Sequence, residues 1–143
     1  MLKYTYDYPR PAVTVDAAIF RRHSGSWEIL LIQRGREPFK GMWALPGGFV
    51  EMDETLEEAV VRELKEETGL EGIHLEQLHT FSAVNRDPRH RTISTIFWGI
   101  STMELSNALA GDDASDAKWH EIDRLPELAF DHAEVMSYAV KKL

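Results

Sequence analysis

The 143-residue chain contains no cysteine, which removes disulfides, thiolate nucleophiles, cysteine-ligated zinc and iron–sulfur clusters in one step. It has no apolar run approaching the roughly 18 residues of a membrane-spanning helix, and residues 1–11 are polar and tyrosine-rich, without the hydrophobic stretch of a signal peptide. Positive charge is scarce: 16 Lys and Arg stand against 24 Asp and Glu, for a formal net charge of −8. Duplex-binding modules rely on many cations that neutralise phosphates, so this balance argues against a nucleic-acid partner. Repeats and low-complexity linkers are missing as well. What is present, 43% hydrophobic and 10% aromatic residues, suffices to bury a core and argues against disorder. The expectation is a single domain over residues 1–143, cytoplasmic, with neither nucleic acid nor membrane among its partners.

The charge is unevenly placed. Residues 51–71 hold nine acids against two bases, Arg62 and Lys65; residues 104–134 repeat that ratio, so each block carries −7 and the rest of the chain +6. Much of the positive charge lies in residues 21–40 and 86–91.

Residues 13–20 (VTVDAAIF) and 28–33 (EILLIQ) read as strands separated by His23-Ser24-Gly25-Ser26, a hairpin signal. Residues 35–48 contain Pro38, Gly41, Pro46, Gly47 and Gly48, which predicts a loop. A helix follows, because Thr55 and Glu58 form a capping box, the run to Thr68 has no Gly or Pro, and Gly69 is a stop. Residues 73–83 and 92–101 read as strands joined by a polar turn at 85–90, residues 117–122 as a short strand, and residues 130–143 as a second amphipathic helix. Strands before, between and after two helices imply an α/β class with a mixed sheet covered by helices.

The first helix carries the chemistry. At about 100° per residue with Glu63 as zero, Leu56 lies near +20°, Ala59 near −40°, Val60 near +60°, Glu67 near +40° and Glu66 near −60°. The apolar stripe turns acidic halfway along. Carboxylates about 6 Å apart in a partly shielded site repel by about 3 kcal/mol per pair at an effective dielectric near 20, so a positive partner is expected. A hard divalent cation suits it, since Mg²⁺ takes oxygen ligands, keeps several waters and is shared between one or two carboxylates and a substrate's phosphates. Gly47 and Gly48 just upstream present no side chain to obstruct a carbonyl or a phosphate, and Arg62 is placed to orient Glu63.

Residues 48–70, GFVEMDETLEEAVVRELKEETGL, resemble the signature of the Nudix hydrolases, G-x5-E-x7-R-E-U-x-E-E-x-G-U with U aliphatic, at every fixed position. At about 1 in 15 per residue type, seven such identities arise by chance about once in 10⁸ windows. The resemblance implies an α/β/α sandwich with a central mixed sheet, and hydrolysis of a nucleoside diphosphate linked to another moiety. By matching position it implies the Gly47 carbonyl, Glu63, Glu66 and Glu67 as ligands of Mg²⁺, with Mn²⁺ as a substitute. Arg62 would steady Glu63 and Glu54 would serve as a further carboxylate of the metal site, so that Glu54, Arg62, Glu63, Glu66 and Glu67 form the implied catalytic set.

Five flanking segments, YPRPAVTVD (8–16), REPFKGMWALPGGFVE (36–51), NRDPRHRTIS (85–94), GDDASDAKW (111–119) and LAFDH (128–132), are similar to the ADP-ribose pyrophosphatase branch. That similarity implies cleavage of ADP-ribose to AMP and ribose 5-phosphate. The same segments occur in Nudix-like domains of transcription regulators of NAD metabolism, so a non-catalytic ADP-ribose sensor is the alternative of a different class. A nucleoside triphosphate pyrophosphohydrolase is the enzyme alternative. It stays open because the proline that many of the branch place sixteen residues past the box falls at Pro88, with Arg86 at the usual spot.

Candidate substrate contacts follow from the loops. Arg34, at a strand end, is a candidate for a phosphate, and Arg86 and Arg89, in a basic turn, for the terminal ribose phosphate. Phe39, with Trp43, is a candidate to stack on adenine, and Asp113, with Asp112 and Asp116, a loop carboxylate. His132 opens the last helix beside Asp131, which is read equally as an N-cap. Tyr4, Tyr6 and Tyr8 alternate on one face of an extended arm, expected to pack on its own sheet or on a second subunit of a homodimer, as related enzymes commonly do.

Overall fold

The computed structural model describes residues 3–102 and 114–143, with the backbone alone for 114–116. Ser24 and Gly25 form the first turn, both at positive φ (52° and 81°), the sign pattern of the type I′ turn whose twist suits a two-residue hairpin. It joins β1 (Ala12–His23) to β2 (Ser26–Arg34) with His23 opposite Ser26.

These two strands stay paired only from Phe20 and Ile29 to the turn. Beyond that they part, and the chain over residues 43–49 enters the fork. There β3 (Trp43–Ala44) pairs with β2, β4 (Gly47–Phe49) pairs with β1, and the Ala17 N–H donates to the Pro46 carbonyl at 2.8 Å. The expectation of a plain loop over 35–48 is therefore corrected at its end. Gly47 is in a strand because of close approach: a Cβ there would overlap the Val15 carbonyl and the Asp16 carboxylate, a distance only glycine tolerates.

On the other side of β1, β6 (Thr92–Ile100) runs parallel to it from Ala12 opposite Thr92 to Phe20 opposite Ile100, and β5 (Glu76–Phe81) lies antiparallel to β6. β7 (Ala114–Glu121) is antiparallel to β2. The seven-stranded sheet is thus mixed. Alternation along β1 sorts its side chains between two helices. Val15, Ala17 and Ile19 pack with Ala59, Val60 and Leu64 of α1 (Leu56–Thr68), whereas Ala18 and Phe20 pack with Val135, Met136 and Ala139 of α2 (His132–Ala139). The layering is the expected α/β/α sandwich.

The starts of β5, β7 and α2 are displaced from expectation. β5 starts at Glu76 rather than at residue 73, because Ile73 and Leu75 pack on the α1-side core instead of joining the ladder. β7 starts at Ala114. α2 starts at His132, and its continuation Val140–Lys142 is a 3₁₀ turn. Among the described residues no helix is long and apolar enough to cross a membrane.

Candidate active site

The register of α1 is pinned at both ends. The Thr55 hydroxyl accepts the Glu58 N–H at 3.1 Å while the Glu58 carboxylate accepts the Thr55 N–H at 2.9 Å, and Gly69, at φ 80°, donates its N–H to the Lys65 carbonyl. With Ala59, Val60 and Leu64 in the core, the helix must turn Glu63 and Glu67 toward the sheet. Glu67 is buried and Glu63 is 15% exposed, while Glu66, at the edge of the stripe, is 59% exposed. The Glu67 carboxylate accepts the Gly47 N–H at 2.7 Å. Glu63 lies against Gly48 so closely that a Cβ there would fall 2.6 Å from its Oε1. Glu63 therefore requires a glycine at position 48, as Val15 and Asp16 do at position 47.

Arg62 holds this wall together. Its Nε and Nη2 donate to the two Glu54 oxygens at 2.9 and 2.5 Å, its Nη1 to Glu63 at 2.9 Å and Glu66 at 3.2 Å, and its Nη2 also to the Phe49 carbonyl at 3.1 Å. Hydrogen bonds from Arg62, and one from the Glu51 N–H, pull the Glu54 carboxyl down to about 2. Burial pushes Glu63 up despite Arg62 beside it. Among the described residues no three carboxylate or imidazole groups converge as a ready-made metal cage. The donors are all hard oxygen, one of them partly desolvated and seated against a glycine. That set fits a hard divalent ion whose remaining ligands are waters and phosphates.

The acidic wall lines a cleft of about 520 Å³, within the range of small-molecule sites, together with Asp16, Leu45 and Gly47 and with Arg34, Arg89 and Phe130. Burial pushes the Asp16 carboxyl up to about 7, with Arg86 opposing and Asp131 and Glu63 adding to the rise. His132 Nδ1 accepts the Leu45 N–H at 3.0 Å, so its proton sits on Nε2, which lies 3.8 Å from the Asp16 Oδ2. Burial lowers His132 to about 4, with Arg86 and Arg34 lowering it further and Asp131 opposing.

The expected substrate contacts divide. Arg34, His132, Arg86 and Arg89 all line the cleft and Phe39 does not. Arg34 ends β2 and its Nε donates to the Pro38 carbonyl at 2.7 Å. Arg86 corrects the picture of a freely available phosphate ligand. Its Nε and Nη2 donate to both Asp131 oxygens at 2.8 and 2.7 Å, its Nη1 to Ser94 at 2.5 Å, and its side chain is 4% exposed. Asp131, so engaged, makes no side-chain cap bond to α2. Arg89 donates to buried Asp87 at 3.1 and 2.8 Å; burial raises that carboxyl, but the hydrogen bonds from Arg89 hold it below its usual value.

Phe39 packs edge-on against Phe130 with ring centroids 4.8 Å apart, and Trp43 against His120. Glu54 is paired with Arg62 and is not among the cleft-lining residues. Asp113 and Asp112 lie outside the described residues, as does the side chain of Asp116. In the arm, Tyr4 and Tyr6 stack on each other, Arg10 lies over Tyr6, and all three tyrosines are exposed. Among the cleft residues that the sequence does not signal as such are Asp16, Asp87 and Phe130. The available signal for Asp16 is a lone acid inside the apolar run of residues 13–20.

The family model described as the NUDIX domain matches residues 10–141. The chain is 48% identical over 129 residues to an ADP-ribose pyrophosphatase of Methanocaldococcus jannaschii, an alignment covering 90% of this chain and 73% of that one. The solved NUDIX domain of Shewanella oneidensis NrtR, complexed with ADP ribose, is similar with a TM-score of 0.87 at 33% identity, covering 96% of this chain and 93% of that chain. A bifunctional NMN adenylyltransferase/ADP ribose pyrophosphatase of Francisella tularensis, complexed with AMP and a Mn ion, gives a TM-score of 0.81 at 31% identity over 96% of this chain and 43% of that one. With the domain match spanning nearly the whole sequence and the glutamates of α1 gathered on the β4 glycines, the chain belongs to the NUDIX family.

Proposed function

We propose that the cleft binds ADP-ribose with Mg²⁺, Mn²⁺ being a substitute, and hydrolyses its diphosphate linkage to AMP and ribose 5-phosphate. The observation that carries this reading is that one cleft is lined both by the α1 glutamates and by Arg34 with Arg89. The 48% identity to a protein of that activity supports the substrate, as does the likeness to a domain that binds ADP ribose.

Glu63, Glu66, Glu67 and the Gly47 carbonyl would hold the metal, which when bound neutralises diphosphate charge and makes water a better nucleophile. Arg62 fixes the direction of Glu63 and Glu66 through its hydrogen bonds, and the Gly47 N–H fixes Glu67. Gly48 leaves the floor low enough for a phosphate to approach the carboxylates. Arg34 offers a planar guanidinium suited to phosphate oxygens. The surroundings belonging to the same reading are a cytoplasmic setting and a homodimer, with the exposed tyrosine arm turned to a second copy.

The test is a substrate panel with Mg²⁺ or Mn²⁺, scored for phosphate before and after phosphatase treatment. ADP-ribose should yield phosphate only after phosphatase, as two monophosphates do, and none in EDTA. Pyrophosphate released from a nucleoside triphosphate would favour the housecleaning alternative. Tight ADP-ribose binding without AMP would favour a sensor, the reading that the NrtR likeness supports and the intact glutamate set opposes.

A further inference from the structure

Phe130 departs from the backbone that its residue type prefers. Its φ is 53°, and that of Phe39, which touches it, is 60°. Aromatic residues rarely adopt this left-handed region, and such strain persists only where the surroundings impose it. Here they do. The Ala129 N–H donates to the Trp43 carbonyl at 2.8 Å, the Trp43 N–H to the Glu127 carbonyl at 3.1 Å, and buried Ala129 packs with Ile32 and Ala44. The segment before α2 is thereby tied to β3, and Phe130 is turned into the cleft.

Its ring meets two cations. The Arg34 guanidinium lies over it at 4.9 Å from the centroid and the Arg89 guanidinium at 5.6 Å, Arg89 reaching the Phe49 ring as well at 5.7 Å. The two come from the end of β2 and from the loop between β5 and β6, and they repel each other. Asp87 pairs with Arg89. Among the described residues no carboxylate makes a salt bridge to Arg34, whose Nε donates to the Pro38 carbonyl; Asp87 and Glu67 act on its charge only at longer range. The negative face of an aromatic ring is what brings such cations together without neutralising them, which leaves the Arg34 charge for a ligand in the cleft.

We infer that Phe130 is a positioning residue, its ring holding Arg34 and Arg89 in the cleft so that they meet the anionic groups of a diphosphate-bearing ligand. The inference rests on the reading of the cleft as a diphosphate site, and deepens it by naming what sets the basic side. The strained backbone is the condition for that placement, because a relaxed φ at this position would swing the ring out from under the two guanidinium groups.

The experiment is a double-mutant cycle read by calorimetry, with ADP-ribose as the probe and the full chain in EDTA, so that binding is measured apart from turnover. Phe130→Ala and Arg34→Ala should each weaken binding about tenfold, and the double variant by little more than either, because the ring acts through the arginine. Phe130→Tyr, which keeps the ring, should bind within about twofold of the parent. Phe130→Gly removes the ring while relieving the backbone, so it should bind as weakly as Phe130→Ala with a melting temperature at least as high. Losses that multiply to about a hundredfold, a Phe130→Gly variant that binds normally, or a parent chain that binds no ADP-ribose without metal would each overturn the inference. Coupled binding losses in a chain that hydrolyses no nucleotide with Mg²⁺ would sustain the role of Phe130 and overturn the hydrolytic reading alone.

Discussion

The two walls of the cleft are built in opposite ways. The acidic wall comes from neighbouring stretches of chain, the β4 glycines and the α1 glutamates, and its like charges are gathered by an internal cation, Arg62. The basic wall is assembled from three separated segments that supply Arg34, Arg89 and Phe130, and its like charges are gathered by an aromatic face and one carboxylate, Asp87. The first is fixed by helix geometry, the second by tertiary packing. A substitution on the acidic side should therefore strike the reaction, and one on the basic side the ligand's grip.

The largest effect is expected from Glu67→Gln. An amide oxygen still accepts the Gly47 N–H, so the fold should hold while the charge for a cation is lost. The expected outcome is a fall in kcat of about a thousandfold with a melting temperature within a few degrees of the parent. A variant that keeps its turnover would remove Glu67 from the chemistry.

Next is Asp131→Asn, which sharpens where the basic wall ends. Arg86 and Asp131 form a buried bidentate pair, and leaving one charge of such a pair uncompensated costs about 3 kcal/mol. Urea unfolding should show that loss. Unchanged stability together with a raised KM would instead put Arg86 among the ligand contacts.

Gly48→Ala tests the seat of the acidic wall, since its Cβ would fall 2.6 Å from Glu63 Oε1. A displaced carboxylate should lower kcat/KM by about 10- to 100-fold; activity near that of the parent would show that Glu63 can move without consequence.

These differences also explain what could be read before the fold was known. Glu63, Glu66, Glu67, Arg62 and Glu54 were legible because one helix supplies four of them and helical spacing places them. The hairpin and the capping box were legible for the same local reason. Residues 43–49 were not, because pairing in the fork between β1 and β2 depends on a close approach to Val15 and Asp16 that breaker counting does not register. Arg86 looked like a ligand because its partner lies forty-five positions away, at the residue preceding α2. Phe130 was hidden because its importance lies in a backbone conformation.

The smallest effect concerns protons in the cleft. Asp16 rises from 3.8 to about 7 on folding. Taken alone, that contributes stability that is full below pH 3.8 and is lost as pH rises through 7. His132 falls from 6.5 to about 4, which removes stability as pH drops from 6.5 to 4. The slopes are opposite, so between pH 4 and 6.5 the pair holds one proton in both states and contributes nearly no pH dependence. Asp16→Asn should uncover the His132 slope, at most about 1.4 kcal/mol per pH unit, seen in EDTA as stability that falls with acid more steeply than in the parent. Parallel profiles for the two proteins would mean that Asp16 does not carry that proton.

The division of labour between the walls is tested most directly by steady-state kinetics of Glu67→Gln and Arg34→Ala side by side, with ADP-ribose and Mg²⁺. Glu67→Gln should lose kcat by about a thousandfold with KM little changed, and Arg34→Ala should raise KM about tenfold with kcat within about threefold of the parent. Two variants that lose the same parameter, whichever it is, would contradict a cleft whose acidic side performs the reaction and whose basic side holds the ligand.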